Sequence, residues 1–319
     1  MPHRCAILDD YQNVALKMAD WSPVKAELDI KVFNKPLGGA EQVIHALQGF
    51  PIVCAMRERT AFSRRVLEAL PDLKLLITTG ARNNSIDVAA AKERGIVVSG
   101  TPSFGNPTAG ITIGLMLELT RRIGHESARL KAGEQWQSTV GLDLEGLTLG
   151  VVGLGKLGVR VSNIAKALGM KVIAWSQNLT PEKASEHGAE YVSKQELFRQ
   201  ADFVSVHVQL SDRSRGLIGP EEIGLMKPTA YIINTARGPI IEEAALLAAL
   251  REQRIAGAGL DVFDVEPLPL DHPLRKLDNV VITPHLGYVS EQNYRQYIGG
   301  TVEDIRAWLD GKPARVLTA

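Results

Sequence analysis

Residues 147–168 constrain the chain more than any other stretch. They open with Leu147, Leu149, Val151 and Val152, a short apolar run that reads as a buried strand. The run breaks at Gly153-x-Gly155-x-x-Gly158, and Leu157, Val161, Ile164, Ala165 and Leu168 follow at helical spacing. The glycines therefore occupy a strand-to-helix turn, where each has a physical task. Gly153 permits the tight turn, Gly155 lets the backbone approach a pyrophosphate, and Gly158 lets the helix pack on the strand. Phosphates would then lie on the helix N-terminus, against the N–H groups of the turn and of Lys156 and Leu157. A second strand over 171–175 follows at once and completes a βαβ start. The stretch implies a dinucleotide site.

The chain has 319 residues, enough for two domains, and 45% of them are hydrophobic, so it can fill substantial cores. Lysine plus arginine equals aspartate plus glutamate at 36 each, so no global basic field for nucleic acid exists. Cys5 and Cys54 fall in short apolar runs and read as buried free thiols rather than a disulfide or metal pair. No metal is expected. The N-terminus lacks a long apolar signal region, and no apolar run reaches the roughly 18 residues of a membrane span. A soluble, cytoplasmic protein with neither a nucleic-acid nor a membrane partner is the expectation.

Before the glycine turn the chain alternates strand and helix. Strands are expected over 4–8, 30–33, 52–56, 73–78 and 96–98, and helices over 13–21, 41–47, 64–70 and 86–94. Ser63 is a plausible N-cap, and Asp87 falls in the first turn of its helix. Pro102, Gly105 and Pro107 mark a crossing. A helix over 111–122 and an exposed loop over 133–146 carrying Trp136 come next. After the turn, strands are expected over 203–208, 230–234, 256–262 and 280–283, and helices over 194–199, 220–226, 242–252 and 291–309. The fold class is α/β, with two doubly wound parallel-sheet domains. A Rossmann dinucleotide-binding domain (103–287) is inserted into a flavodoxin-like substrate domain (1–102 and 288–319).

In such sheets ligands bind beyond the carboxyl ends of the strands. Arg237, Glu266 and His285 each follow a late strand, so all three fall at the edge that carries the glycine turn. Each alone could be an ordinary loop residue. Together they form a coherent device: an arginine fork for a carboxylate, a histidine that titrates near neutrality, and a carboxylate to orient it.

Three blocks carry a family resemblance. Asn234-Thr235-Ala236-Arg237-Gly238, Gly259-Leu260-Asp261-Val262-Phe263-Asp264-Val265-Glu266-Pro267 and Thr283-Pro284-His285-Leu286-Gly287 resemble the signature blocks of the D-isomer-specific 2-hydroxyacid dehydrogenases. The segment from Gly80 to Asp87 is similar to that family's substrate loop. The resemblance implies hydride transfer between NAD(P)(H) and a 2-hydroxyacid/2-oxoacid pair of glyoxylate, hydroxypyruvate or phosphoglycerate type. It implies that His285 is the acid/base, Glu266 its partner and Arg237 the group that binds and polarises the substrate. It also implies a substrate loop at Gly80, Ala81 and Arg82, an Asp261 contact to the nicotinamide carboxamide (a strand-end carboxylate capping a turn is the alternative), cofactor contacts at Thr235 and Gly287, and a homodimer. A dinucleotide-sensing binding protein on the same scaffold is the alternative reading.

Where an NAD enzyme of this fold has an acid for the ribose 2′-OH, this chain has Ser176, with no acid until Glu182. That favours NADP, although Lys183 is the nearest cation and NAD or dual use stays open. Gly110 and Gln209 depart from the usual glutamate and proline. His207 either lines the nicotinamide pocket or is a buried structural histidine. Arg57 and Arg82 sit on strand-end loops; if either points inward, a second acidic group on the substrate becomes plausible.

Overall fold

The computed structural model describes residues 1–318. Among them the elements run β1 (His3–Ile7), α1 (Ser22–Lys25), β2 (Leu28–Val32), α2 (Ala40–Leu47), β3 (Ile52–Ala55), α3 (Arg64–Glu68), β4 (Leu75–Thr78), α4 (Val88–Glu93) and β5 (Val97–Gly100). Then come α5 (Thr108–Arg121), α6 (Ile123–Lys131), β6 (Thr148–Val152), α7 (Lys156–Ala167), β7 (Lys171–Trp175), α8 (Pro181–Glu186), β8 (Glu190–Tyr191), α9 (Lys194–Gln200) and β9 (Phe203–Val206). The chain ends with α10 (Pro220–Leu225), β10 (Tyr231–Asn234), α11 (Glu243–Arg251), β11 (Gly257–Leu260), β12 (Val280–Ile282) and α12 (Glu291–Leu309). Among these residues no helix is long and apolar enough to cross a membrane.

The chain divides into two compact units, 1–105 with 290–319, and 106–289. The sequence puts the joins at 102/103 and 287/288. The first unit holds a five-stranded parallel sheet in the order β2-β1-β3-β4-β5, the flavodoxin-like winding. Its inner strands are apolar on both faces because helices cover both. On one face Ala6, Val53 and Leu76 pack against Val43 and Leu47 of α2, Val66 and Leu67 of α3, and Ala90 of α4. On the other, Cys5, Ile7, Ile52, Leu75 and Ile77 meet Ile298, Val302 and Ile305, which recur at helical spacing along α12. Cys5 and Cys54 are buried free thiols with their Sγ atoms 3.9 Å apart.

The second unit holds a seven-stranded sheet in the order β12-β11-β10-β9-β6-β7-β8, with every pair parallel. This is the Rossmann order extended by one strand. α5 and α7 cover one face, where Ala109, Ile113 and Met116 pack with Val151, Val161 and Ile233. Leu197, Ile223, Leu246 and Leu250 from α9, α10 and α11 fill the other face.

Several local expectations are corrected. Residues 13–21 do not form one helix. Asn13 has φ of 55°, and both oxygens of Asp10 accept backbone N–H groups, from Val14 at 3.0 Å and Ala15 at 2.9 Å. Only a 3₁₀ turn at Ala15–Lys17 and the short α1 result. Ser63 is the N-cap residue of α3 but makes no side-chain cap bond, whereas the Asp87 carboxylate accepts Ala90 N–H at 2.8 Å. α5 begins at Thr108 and stops where Arg122 turns left-handed, φ 48°. α6 goes unforeseen because none of its residues is buried, so it leaves no apolar stripe to read. The two-residue edge strand β8 and short α8 are equally silent. β9 ends at Val206 rather than 208.

Because Ile305 is fully buried, Ile305→Ala should lower the unfolding free energy by about 2–5 kcal/mol. Urea denaturation measures it; a loss under about 0.5 kcal/mol would mean that α12 does not seal the sheet.

Candidate active site

Parallel pairing puts every carboxyl end of the second sheet at one edge. Gly153 follows β6, Ser176 follows β7, His207 follows β9, Thr235 and Arg237 follow β10, Asp261 follows β11 and His285 follows β12.

At β6 the three glycines do different things. Gly153 has φ of 103°, and a Cβ there would lie 2.9 Å from the His207 carbonyl carbon. A Cβ on Gly158 would lie 2.2 Å from the Gly153 carbonyl oxygen, so only glycine lets α7 seat on its strand. Nothing lies within 4 Å of a Cβ built on Gly155, the exposed N-cap of α7. The first turn of a twelve-residue helix, at Lys156 and Leu157, thus opens onto free space with its N–H groups and dipole. These residues fit a pyrophosphate.

At β10 the turn is tied by Asn234, whose Oδ1 accepts Ala236 N–H at 3.0 Å and whose Nδ2 donates to the Arg237 carbonyl at 2.9 Å. A Cβ on Gly238 would sit 2.1 Å from the Phe263 carbonyl carbon, so the Arg-Gly pair presses directly on the loop that carries Glu266. Arg237 Nη1 donates to the Ala236 carbonyl at 2.7 Å. Thr235 Oγ1 bonds Thr112 Oγ1 of α5 at 2.9 Å.

Glu266 divides its carboxylate. Oε1 accepts Phe263 N–H at 3.0 Å, and Oε2 accepts from His285 Nδ1 at 2.6 Å. Burial pushes this acid up. The His285 hydrogen bond and charge, the Phe263 N–H and the Arg237 charge outweigh burial and hold it below the ordinary carboxylate value. An ionised carboxylate only accepts, so Nδ1 of His285 carries the hydrogen and Nε2 is left for other chemistry. His285 itself has φ of 54° and stands edge-on to Tyr288, ring centres 5.5 Å apart. A left-handed histidine is uncommon and needs enforcement.

Asp261 supplies it. The residue is fully buried. Its Oδ1 accepts the Thr283 hydroxyl at 2.6 Å and Leu286 N–H at 2.7 Å, and its Oδ2 accepts Gly287 N–H at 2.8 Å. Burial still leaves its pKa raised. Asp261 thus ties both sides of the His285 turn. Gly287 packs on Thr108, whose hydroxyl donates to the Gly287 carbonyl at 2.9 Å.

His207 Nε2 pairs with Ser205 Oγ at 2.8 Å. Its Nδ1 is sealed from solvent with no hydrogen-bond partner among the described residues, so a polar ligand group is the kind of partner it lacks. Burial pushes its pKa down to about 4.

Arg57, Gly80, Ala81 and Arg82 belong to the first unit, apart in the chain from the Arg237, Glu266 and His285 group. Arg57 is left-handed, φ 52°, and its N–H donates to Thr79 Oγ1 at 2.9 Å. Its guanidinium lies where a Cβ of Gly80 would be, donates to the Thr79 carbonyl at 3.4 Å and stands 3.5 Å from Glu58. Asn83 Nδ2 donates to the Arg57 carbonyl at 2.6 Å, which joins the two loops. Ala81 and Arg82 are exposed. Sequence reasoning missed the organising roles of Asn234, Thr108, Thr112 and Asn83; the available signal for the first was its place at the end of an apolar strand. Among the described residues no His, Cys, Asp or Glu group is placed to hold a metal ion.

Keeping His207 neutral stabilises the fold fully above about pH 6.5, its ordinary value, and that stability is lost as pH falls toward about 4. Glu266 acts lower: its contribution is present above the ordinary carboxylate value of 4.5 and disappears as pH drops through its depressed pKa. Between pH 7 and 4.5 the native protein should lose on the order of 2 kcal/mol more unfolding free energy than His207→Gln does. Equal losses in both proteins would contradict the buried neutral histidine.

The model for the D-isomer specific 2-hydroxyacid dehydrogenase NAD binding domain matches residues 113–287. The chain is 42% identical over 268 residues to a D-3-phosphoglycerate dehydrogenase of Methanocaldococcus jannaschii, covering 82% of this chain but 50% of that protein. It therefore spans about half the length of that relative. A glyoxylate reductase of Thermococcus litoralis is 40% identical over 238 residues, 72% of each chain. The crystal structure of a phosphoglycerate oxidoreductase from Vibrio cholerae superposes with a TM-score of 0.91 at 33% identity, covering 97% of this chain and 99% of that one. With the glycine turn, the three signature blocks and their geometry in place, the chain belongs to the D-isomer-specific 2-hydroxyacid dehydrogenase family.

Proposed function

We propose that the protein interconverts a 2-oxoacid and the corresponding D-2-hydroxyacid. The observation that carries this is the 2.6 Å bond from His285 Nδ1 to Glu266, at the strand edge that also bears the open turn at Gly155. A nicotinamide held at the glycine turn would supply or accept the hydride at the substrate C2. The Arg237 guanidinium takes the substrate carboxylate through its fork and stabilises charge growing on the carbonyl oxygen. His285 delivers a proton from Nε2 to that oxygen, and Glu266 stabilises the imidazolium form that does so. Oxidation uses the same groups in reverse. Asp261 fixes the loop on which His285 acts.

Glyoxylate, hydroxypyruvate and phosphoglycerate-type acids are the candidate substrates, in keeping with what the relatives are named for. We assign selection among them to Arg57 and the 79–82 loop. Ser176, in place of an acid, favours NADP over NAD. The cytoplasm, where both thiols stay reduced, is the expected compartment.

The test follows absorbance of the reduced nicotinamide with NADPH and NADH against glyoxylate, hydroxypyruvate, pyruvate and 2-oxoglutarate. Turnover is expected with at least one. His285→Ala should lower kcat by about 10²–10⁴-fold. Near-normal turnover in that variant would sink the assignment; silence across the panel with intact cofactor binding would favour a sensing role.

A homodimer is proposed through the region 110–146, where the large apolar side chains of Ile123, Leu130, Trp136 and Val140 are exposed. Light scattering should give twice the chain mass for the native protein and the chain mass for Leu130→Glu/Trp136→Glu. A native monomer would overturn it.

A further inference from the structure

The β7 end and the loop after β9 line a half-open cleft of about 220 Å³ in the second unit. Trp175, Ser176, Gln177 and Asn178 line one side, and Arg213 and Leu217 contribute to the other. Among the lining residues Arg213 alone is charged, and no carboxylate is present. In the doubly wound dinucleotide fold this edge of the second strand faces the adenosine ribose. An acid there accepts two ribose hydroxyls and repels a 2′-phosphate. Here the acid is missing and a guanidinium has come in from a loop 36 residues further along the chain.

The placement of Arg213 is built rather than incidental. Its neighbour Ser214 is buried and anchors the loop. The Ser214 hydroxyl donates to the Gln209 carbonyl at 2.6 Å and accepts Ser211 N–H at 2.8 Å. Arg215 N–H closes the same turn on the Ser211 carbonyl at 2.9 Å. From that anchor Arg213 Nη2 reaches to Gln177 Oε1 at 2.5 Å. This bond holds the guanidinium at the β7 end and uses one of its five donors. The other cations of the region are differently disposed. Lys194 is paired with Glu222 at 2.7 Å, and Lys183 is exposed on α8.

We propose that Arg213, held by Ser214 and Gln177, is the residue that recognises the adenosine 2′-phosphate and makes the protein select NADP. This deepens the dinucleotide reading above and rests on it. A phosphate monoester carries close to two negative charges at neutral pH, and a guanidinium meets its oxygens by parallel charge-assisted bonds. The amides of Gln177 and Asn178 and the Ser176 hydroxyl supply neutral donors beside it.

Fragments that need no turnover test this. Calorimetry with adenosine 2′,5′-bisphosphate and with 5′-AMP compares the same molecule with and without the 2′-phosphate. The native protein should bind the bisphosphate at least about tenfold more tightly. Arg213→Gln should cost the bisphosphate about 10–100-fold and leave 5′-AMP within about twofold. Arg213→Lys should recover part of the loss. Arg213 is exposed, so the variant should melt like the native protein. Equal affinity of the native protein for both fragments, or equal weakening of both by Arg213→Gln, would overturn the Arg213 assignment while leaving the dinucleotide site standing. Failure of the native protein to bind either fragment, or NADPH or NADH by fluorescence, would remove both.

Discussion

Every strand of the second sheet runs in the same direction, and the rest of the site depends on that. Parallel hydrogen bonding forces the chain to return to the same edge before each strand, so each strand leaves at the opposite one. Residues as distant in sequence as Gly153 and His285 then share an edge without any direct attraction between them. The chemistry at that edge is assembled by backbone pairing, and the side chains need only be correct where each strand ends.

What turns proximity into geometry is a pair of acids used in different ways, Asp261 fully buried and Glu266 partly open to solvent. Asp261 spends both oxygens on the turn that follows β12 and forces a histidine into a left-handed conformation. Glu266 spends one oxygen on its own loop and the other on the imidazole. A buried carboxylate is costly unless its acceptors are met, so the Asp261 network holds only as a whole. The close contact of Gly238 with Phe263 links them to the arginine turn at β10.

Most of this was legible in the sequence because it is written in local signals. The apolar runs with their terminal glycines gave the strands, and the order of strands gave the edge on which Arg237, Glu266 and His285 lie. In the glycine turn the tight bend at Gly153 and the close helix packing at Gly158 were readable from spacing. What stayed hidden lacks a local signature. α6 has no buried face to produce a periodicity. Residues 13–21 look helical until Asp10 captures two of their N–H groups. Arg213 could not be tied to Ser176 by spacing, since a loop from another strand brings it there. For Asp261 the resemblance implies a nicotinamide contact and the strand end a turn-capping carboxylate; the fold shows which turn it ties, through the Leu286 and Gly287 N–H groups.

The covering of the first sheet by α12 has a consequence for synthesis. The strands carrying Cys5, Ile7, Ile52, Leu75 and Ile77 leave the ribosome early, but Ile298, Val302 and Ile305 follow only after the 184 residues of the second unit. At ordinary translation speeds that is a delay of roughly ten to forty seconds. For that time one face of a nascent parallel sheet has no lid, while the second unit has all its own segments and can close by itself. The first sheet is thus begun before the second unit is made and finished only after it.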